Sequence, residues 1–268
     1  MAQARAADGT TLHYERTGAG APVLLVMGLG MNTTGWWRTV PVLAEDLEVI
    51  AFDNRGAGRS DVPEGPYTAE MMADDAMAVL DASGVQKAHV YGISLGGMIA
   101  QTIALRHPDR VNRLVLGATT PGGPRHVRSD DEVLRLVGAR GMLTAELAAW
   151  ASVPVNYARR TREESAQRIA DDIVRRLRYP ITGPGYGGQL AVAMHFAVGD
   201  GAREIAARTL VVHGDEDVLV RPENGELLAE LIPNATLRLW PGAAHFYPTD
   251  EPAADPAIRD FLTKLSDS

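Results

Sequence analysis

The sequence predicts an α/β protein: a mostly parallel, doubly wound sheet with an N-terminal antiparallel hairpin and an inserted helical cap. Three observations carry this. Short continuous apolar runs alternate with helix-like segments from Pro22 to Gly117, the pattern of strands buried on both faces. The alternation stops after Gly117 and resumes at Thr209, an interval too long for a single crossover. Ahead of it, Asp8-Gly9 separates Ala2 to Ala7 from the alternating Thr11 to Arg16, as in a hairpin with a two-residue turn.

Taken in order, the elements follow from local chemistry. Pro22 to Val26 is a buried strand that breaks into Met27-Gly28-Leu29-Gly30. A helix over Trp36 to Ala44 leads to a strand over Glu48 to Asp53. The next stretch, Asp53 to Ser60, carries Gly56 and Gly58 but neither the lysine of a phosphate loop nor the full glycine spacing of a dinucleotide site, so it reads as a tight turn. Met71, Met72, Ala76, Val79 and Leu80 recur at helical spacing within Thr68 to Ala82, closed by Ser83-Gly84. Ala88 to Gly92 is a strand and Leu95 to Arg106 a helix, stopped by Pro108. Val111 to Gly117 is the last strand before the insertion.

Within the insertion, helical patterns cover Asp131 to Val137, Thr144 to Ala149, Glu163 to Leu177 and Leu190 to Val198, and Gly183 to Gly188 reads as a hinge or loop. Strand Thr209 to Gly214, helix Pro222 to Leu231, strand Ala235 to Leu239 and helix Ala257 to Leu265 complete the chain. At 268 residues the chain suits one core with an insertion better than two domains. The expected division is a core of residues 1–120 and 208–268 with a cap of residues 121–207.

Composition removes several function classes. A formal net charge of -8 does not fit a nucleic-acid footprint or an anionic membrane surface. The absence of cysteine rules out disulfides, thiolate zinc sites and thiol catalysis together. No pair of histidines has helical ligand spacing, and Asp215-x-Asp217 lacks the other ligands of a calcium loop, so no metal is expected. Met1 to Gly9 lacks the apolar core of a signal peptide and no apolar run reaches roughly 18 residues. A cytoplasmic location is expected, with oligomeric state left open, a homodimer included.

The chemistry centres on Gly92-Ile93-Ser94-Leu95-Gly96-Gly97, Gly-x-Ser-x-Gly between a strand and a helix. In such an elbow the serine is held in a strained turn with its hydroxyl exposed, and the glycines clear the neighbouring backbone. The new helix aims its first amides, Leu95 among them, at the place where an oxyanion would form. A serine hydroxyl needs a general base, and the base an orienting group. His245 is the best placed histidine, in a loop just beyond the strand ending at Leu239 and Trp240, where open α/β sheets assemble their sites. Asp215, Glu216 and Asp217 compete as the acid, all just past a strand end. His213 is expected to serve a structural hydrogen bond.

The joint pattern of Met27-Gly28-Leu29-Gly30, Asp53-x-Arg55-Gly56-x-Gly58-x-Ser60, Gly92-x-Ser94-x-Gly96-Gly97, Gly214-x-x-Asp217 and Gly242-x-x-His245 resembles the α/β-hydrolase fold family. The likeness is to its capped esterases, lactonases and cofactor-free haloperoxidases, and it spans nearly the whole chain. It implies a triad in the order Ser94, Asp217, His245, because the family's acid follows the glycine by three positions. Where some relatives instead carry an acid after the strand ending at Gly117, this chain has Ala118-Thr119. The resemblance also implies a second oxyanion donor at the Leu29 amide. Met27 stands where the family often has histidine, which makes that wall softer and less polar. A serine nucleophile sets the chain apart from the dehalogenases and epoxide hydrolases of the fold, which use aspartate.

The reading is therefore a serine hydrolase of a carboxylic ester or lactone, medium-sized and largely apolar, with no cofactor. Met27, Leu29, Trp36, Met98, Met142, Trp150, Tyr157, Tyr186, Met194 and Phe246 are the candidate pocket walls. Arg125, Arg128, Arg159 and Arg160 are weaker candidates for a carboxylate contact, since cap arginines are usually solvated. Two alternatives stand beside this reading. One is a non-hydrolytic or carbon-carbon bond-acting enzyme on the same triad, such as a perhydrolase, haloperoxidase or cyclase. The other is a ligand receptor with little turnover.

Overall fold

The structure is a computed structural model that describes residues 2–264. Met1 and the expected last helical residue, Leu265, lie outside the described residues. Among the described residues, an eight-stranded sheet runs in the order β1-β2-β4-β3-β5-β6-β7-β8. Its strands are β1 (Ala2–Arg5), β2 (Thr11–Thr17), β3 (Ala21–Val26), β4 (Leu47–Phe52), β5 (Ala88–Ile93), β6 (Val111–Gly117), β7 (Arg208–Gly214) and β8 (Ala235–Trp240). β1 and β2 are antiparallel to each other, β2 is antiparallel to β4, and every other pairing is parallel. The chain thus starts at one edge as a hairpin and places β5 in the middle of the sheet.

The hairpin turn differs from expectation. Ala6 N donates to Thr10 O (2.9 Å) and Gly9 N to Ala6 O (2.9 Å), so three residues, not two, form the loop. Gly9 takes φ +89° and Asp8 Oδ1 accepts from Thr10 N at 2.9 Å, the arrangement of a turn followed by a glycine bulge.

Successive β3 residues feed two cores on opposite faces. Leu24 and Val26 pack with helices α2 (Ala69–Ala82) and α3 (Leu95–Arg106), whereas Val23 and Leu25 pack towards α1 (Thr39–Leu43) and the C-terminal helix. This two-sided burial is why the strands read as continuous apolar runs. The helix expected from Trp36 is shorter, because a 3₁₀ turn over Thr33–Trp36 precedes α1. Starting at Thr39 puts Pro41, which has no amide to donate, in the helix's first turn.

Between β6 and β7 lie α4 (Asp131–Ala139), a 3₁₀ turn at Arg140–Met142, α5 (Ala145–Ala151), α6 (Val153–Asn156), α7 (Arg159–Glu164), α8 (Ala166–Arg176) and α9 (Gly183–His195). The single helix expected over Glu163 to Leu177 is two, separated at Ser165, whose φ -138° and ψ 35° leave the helical region. α8 has its own anchor: Asp172 accepts from Trp37 Nε1 (2.8 Å) and Thr249 Oγ1 (2.7 Å) on the sheet side.

Gly183 to Gly188, expected as a hinge or loop, is instead the first half of α9. Thr182 caps it, accepting from Gly185 N at 3.3 Å, and Pro184 lies in the first turn. The glycines serve contact rather than flexibility. A Cβ on Gly185 would lie 2.0 Å from Gly56 O, so the helix backbone rests directly on the Asp53 to Ser60 turn.

After β7 come α10 (Glu223–Leu231), β8, α11 (Tyr247–Asp250) and α12 (Ala254–Thr263). α12 begins three residues before the expected Ala257, which places Pro256 in its first turn. Among the described residues, no helix is long and apolar enough to cross a membrane.

One buried carboxyl on α12 predicts a pH effect. Asp255 receives the Thr39 hydroxyl at 3.0 Å, and its pKa is pushed up to about 7, by burial against the smaller opposing pulls of Thr39 and Arg38. A carboxyl with its pKa raised in the folded state stabilises most below its unfolded value, and that stability is lost as pH rises from about 4 to about 7. At roughly 1.4 kcal/mol per pH unit, the loss is about 4 kcal/mol at most. Asp255→Asn is expected to remove this slope, narrowing or reversing any deficit against wild type between pH 5 and 8. Parallel unfolding profiles of the two proteins across that range would refute the assignment.

Candidate active site

Ser94 follows the last residue of β5 and has φ 58° and ψ -121°, a conformation that non-glycine residues avoid and that persists only where the surroundings enforce it. The enforcement is visible in its backbone. Ser94 N donates to Gly117 O (2.8 Å), and Ser94 O accepts from Gly97 N (2.9 Å), Met98 N (3.2 Å) and Thr119 Oγ1 (2.7 Å). The elbow needs its glycines for approach: a Cβ on Gly92 would meet Gly96 O at 2.1 Å, and one on Gly96 would meet Val26 O at 1.9 Å.

His245 and Asp217 meet at the C-terminal ends of β7 and β8. His245 Nδ1 donates to Asp217 Oδ2 at 2.8 Å, and both side chains are buried. The other carboxylate oxygen, Oδ1, accepts from Leu219 N (2.8 Å) and Val220 N (2.9 Å), so the acid cannot rotate without losing both. Burial alone would raise the pKa of Asp217. The His245 charge and the hydrogen bonds from His213 and His245 outweigh it and hold the carboxyl well below the usual range. His213 Nε2 also donates to Val220 O at 2.8 Å, the structural role expected of it. Asp215 and Glu216, the competing acids, are exposed, and Asp215 accepts from Gly242 N at 2.7 Å, bracing the loop that carries His245. That loop is held again by Asp250, which accepts from Ala244 N (2.8 Å) and Ala158 N (3.1 Å).

The Met27-Gly28-Leu29-Gly30 loop lies against the elbow, a Cβ on Gly28 falling 3.1 Å from Ser94 Cβ. It is pinned from two sides. Asn54 Nδ2 donates to Met27 O (2.9 Å), and Gln189 Oε1 accepts from Gly30 N (2.9 Å) while its Nε2 donates to Arg55 O (2.9 Å). The Asp53 to Ser60 turn and α9 therefore position the Leu29 amide. Leu95, first residue of α3, has an amide with no preceding-turn carbonyl to reach.

Ser94, His245, Leu29 and Leu95 all border one cavity of about 380 Å³. Among the described residues no hydrogen bond joins Ser94 Oγ to His245, whose ring bond is to Asp217. Of the pocket residues expected from sequence, Met27, Leu29, Met98, Met194 and Phe246 line the cavity. Trp36, Trp150 and Tyr186 do not. Trp36 is packed in the core against Tyr91 with ring centroids 4.9 Å apart, and Trp150 is 49% exposed on α5. Tyr186 packs beside Gly30 and Gly141 and donates its hydroxyl to Val137 O (2.7 Å). Met142 is 83% exposed, and Tyr157 stacks behind Phe246 at 5.4 Å.

Among the arginines expected near substrate, only Arg128 borders the cavity. Arg125 pairs with Glu230, Arg159 with Glu163, and Arg160 donates to Asp250 O. Sequence reasoning missed Arg140, Arg176, Asn156 and His126, which also line it. No periodicity singles these out, since they come from a loop, a 3₁₀ turn and the ends of α6 and α8, which meet only in the fold.

A family model described as alpha/beta hydrolase fold matches residues 21–252. A 2-hydroxymuconate semialdehyde hydrolase from Pseudomonas sp. (strain CF600) is 31% identical over 96% of this chain and 92% of its own. A relative from Caulobacter segnis, 31% identical over 86% of each chain, has a name that points to carbamate hydrolysis. The crystal structure of the enol-lactonase from Burkholderia xenovorans LB400 superposes with a TM-score of 0.86 at 26% identity, covering 98% of this chain and 100% of that one. The chain belongs to the α/β-hydrolase fold family of enzymes.

Proposed function

We propose that this protein is a serine hydrolase that cleaves a carboxylic ester or lactone through an acyl-enzyme on Ser94. The observation that carries the reading is the 2.8 Å bond from His245 Nδ1 to the buried Asp217 carboxylate, on the wall of the cavity that Ser94 also borders. With Nδ1 committed as a donor, His245 presents Nε2 as the free base.

In the first half-reaction, Nε2 takes the Ser94 proton as Oγ bonds to the substrate carbonyl carbon. The Leu29 and Leu95 amides receive the oxyanion, and Asp217 stabilises the imidazolium. Collapse breaks the carbon-oxygen bond to the leaving group, which departs with the proton from His245. Water then gives a proton to Nε2 and attacks the acyl carbon, and the acid is released as Ser94 regains its hydrogen. Residues 121–207 act as the cap over the core that the rest of the described chain forms, excluding bulk water from the charged intermediate.

A fluorophosphonate probe is expected to label Ser94 and no other residue, read by peptide mass mapping. A folded protein that stays unlabelled at Ser94 while turning over simple esters would sink the reading.

A further inference from the structure

Arg140, in the 3₁₀ turn after α4, and Arg176, the last residue of α8, both border the cavity that holds Ser94 and His245. Both also border an adjoining recess of about 60 Å³ beside Leu29, Gly30 and Tyr186. Nε and Nη2 of Arg140 and Nη1 of Arg176 are shut off from solvent yet donate to no group among the described residues. Nor, among those residues, does either guanidinium form an ion pair. The other cavity arginine behaves differently: Arg128 pairs with Asp131 at 2.9 Å and its side chain is exposed.

Such an arrangement is costly as it stands. Both side chains are half-buried; a guanidinium cannot shed its charge, and nitrogens shut off from solvent without an acceptor forfeit their hydrogen bonds. Burial lowers the Arg140 pKa, the Tyr186 hydroxyl raises it, and the Arg176 charge lowers it again, which places the two cations within each other's field. Their forks match a planar carboxylate, which can accept two parallel hydrogen bonds. Leu134, Val137, Leu190 and Met194 give the same cavity an apolar stretch of wall. With a formal net charge of -8 the protein as a whole repels anions, so any anion recognition is local to this wall.

We propose that the substrate of this site is an anion: an ester or lactone whose acyl part carries a carboxylate, seated on Arg140 and Arg176 while the scissile carbonyl lies at Ser94. The inference rests on the serine-hydrolase reading above. It replaces the largely apolar substrate expected from sequence with one that is apolar along its length and charged at one end.

The test uses the monomethyl esters of succinic, glutaric and adipic acid, each beside the methyl ester of the matching terminal amide, with hydrolysis followed by acid release. In the wild type, the best acid is expected to exceed its amide by roughly 10- to 100-fold in kcat/KM, the range for hydrogen bonds to a charged group. Arg140→Met and Arg176→Met are each expected to cut that ratio by at least about tenfold, mainly through KM, while Arg176→Lys keeps part of it. Because the ratio is internal to each protein, partial misfolding does not imitate the result. Equal turnover of acid and amide by the wild type, or a ratio unchanged in both methionine variants, overturns the proposal.

Calorimetric binding of the same monoesters and amides to the Ser94→Ala protein separates this claim from the hydrolase reading. Preference for the acid, lost on adding Arg140→Met, supports the anion site even without turnover. Equal affinity for acid and amide refutes it even where Ser94 is the labelled nucleophile.

Discussion

Ser94→Ala is expected to lower kcat on any ester substrate by roughly 10⁴- to 10⁶-fold, the loss seen when a triad member is removed from comparable sites. The KM should change little, because the cavity wall and the Leu29 and Leu95 amides remain. What survives is the catalysis that positioning and the oxyanion donors provide without a nucleophile. The measurement is single-turnover hydrolysis of a chromogenic ester alongside thermal unfolding. Activity within tenfold of wild type would remove Ser94 from the mechanism. Ser94→Gly separates strain from chemistry: at φ 58° glycine carries no penalty, so this variant should be as inactive as alanine yet about 1 kcal/mol more stable than it.

Asp217→Asn is expected to cost roughly 10⁴-fold in kcat, with the fold intact. Asparagine can keep the bonds from Leu219 N and Val220 N, but its amide group facing His245 offers a donor where an acceptor is needed. The imidazole then takes the wrong tautomer and loses the charge that stabilises its protonated form. The same substitution reaches stability. A carboxyl whose pKa is depressed by folding contributes stability that is complete above its unfolded value, near 4, and is lost as pH falls through the folded value. Wild type should therefore lose stability on acidification below pH 4 more steeply than Asp217→Asn. An asparagine variant with near-normal kcat, or with the same acid limb as wild type, would show that the carboxylate does not hold the base.

The sheet was legible because parallel strands buried on both faces leave long apolar runs, as in Val23 to Val26 with its residues shared between two cores. The elbow was legible because Gly92 and Gly96 sit where any side chain would strike backbone. Glycine misled elsewhere. In Gly183 to Gly188 the local preference for a turn gives way to a tertiary demand, the contact of α9 with Gly56, which no local pattern records. Trp36 and Trp150 were equally opaque: a tryptophan near a functional loop serves core, surface or pocket according to helix orientation. The same blindness hid Arg140 and Arg176, whose role depends on what fails to sit beside them.

The helices between β6 and β7 are tied down where they meet the sheet. Asp172 accepts from Trp37 and Thr249, Gln189 joins Gly30 and Arg55, and Ala158 N donates to Asp250 of α11. At about 1 kcal/mol net for each of five bonds, lifting these helices as a unit would cost on the order of 5 kcal/mol, an excursion made by roughly one molecule in several thousand. With no glycine hinge at Gly183 to Gly188, traffic into the cavity falls to the swinging of single side chains such as Met194, 66% exposed at its edge. Exposed side chains turn over in picoseconds to nanoseconds. Entry and exit should then outpace chemistry, with no slow opening of the β6–β7 helices in the catalytic cycle.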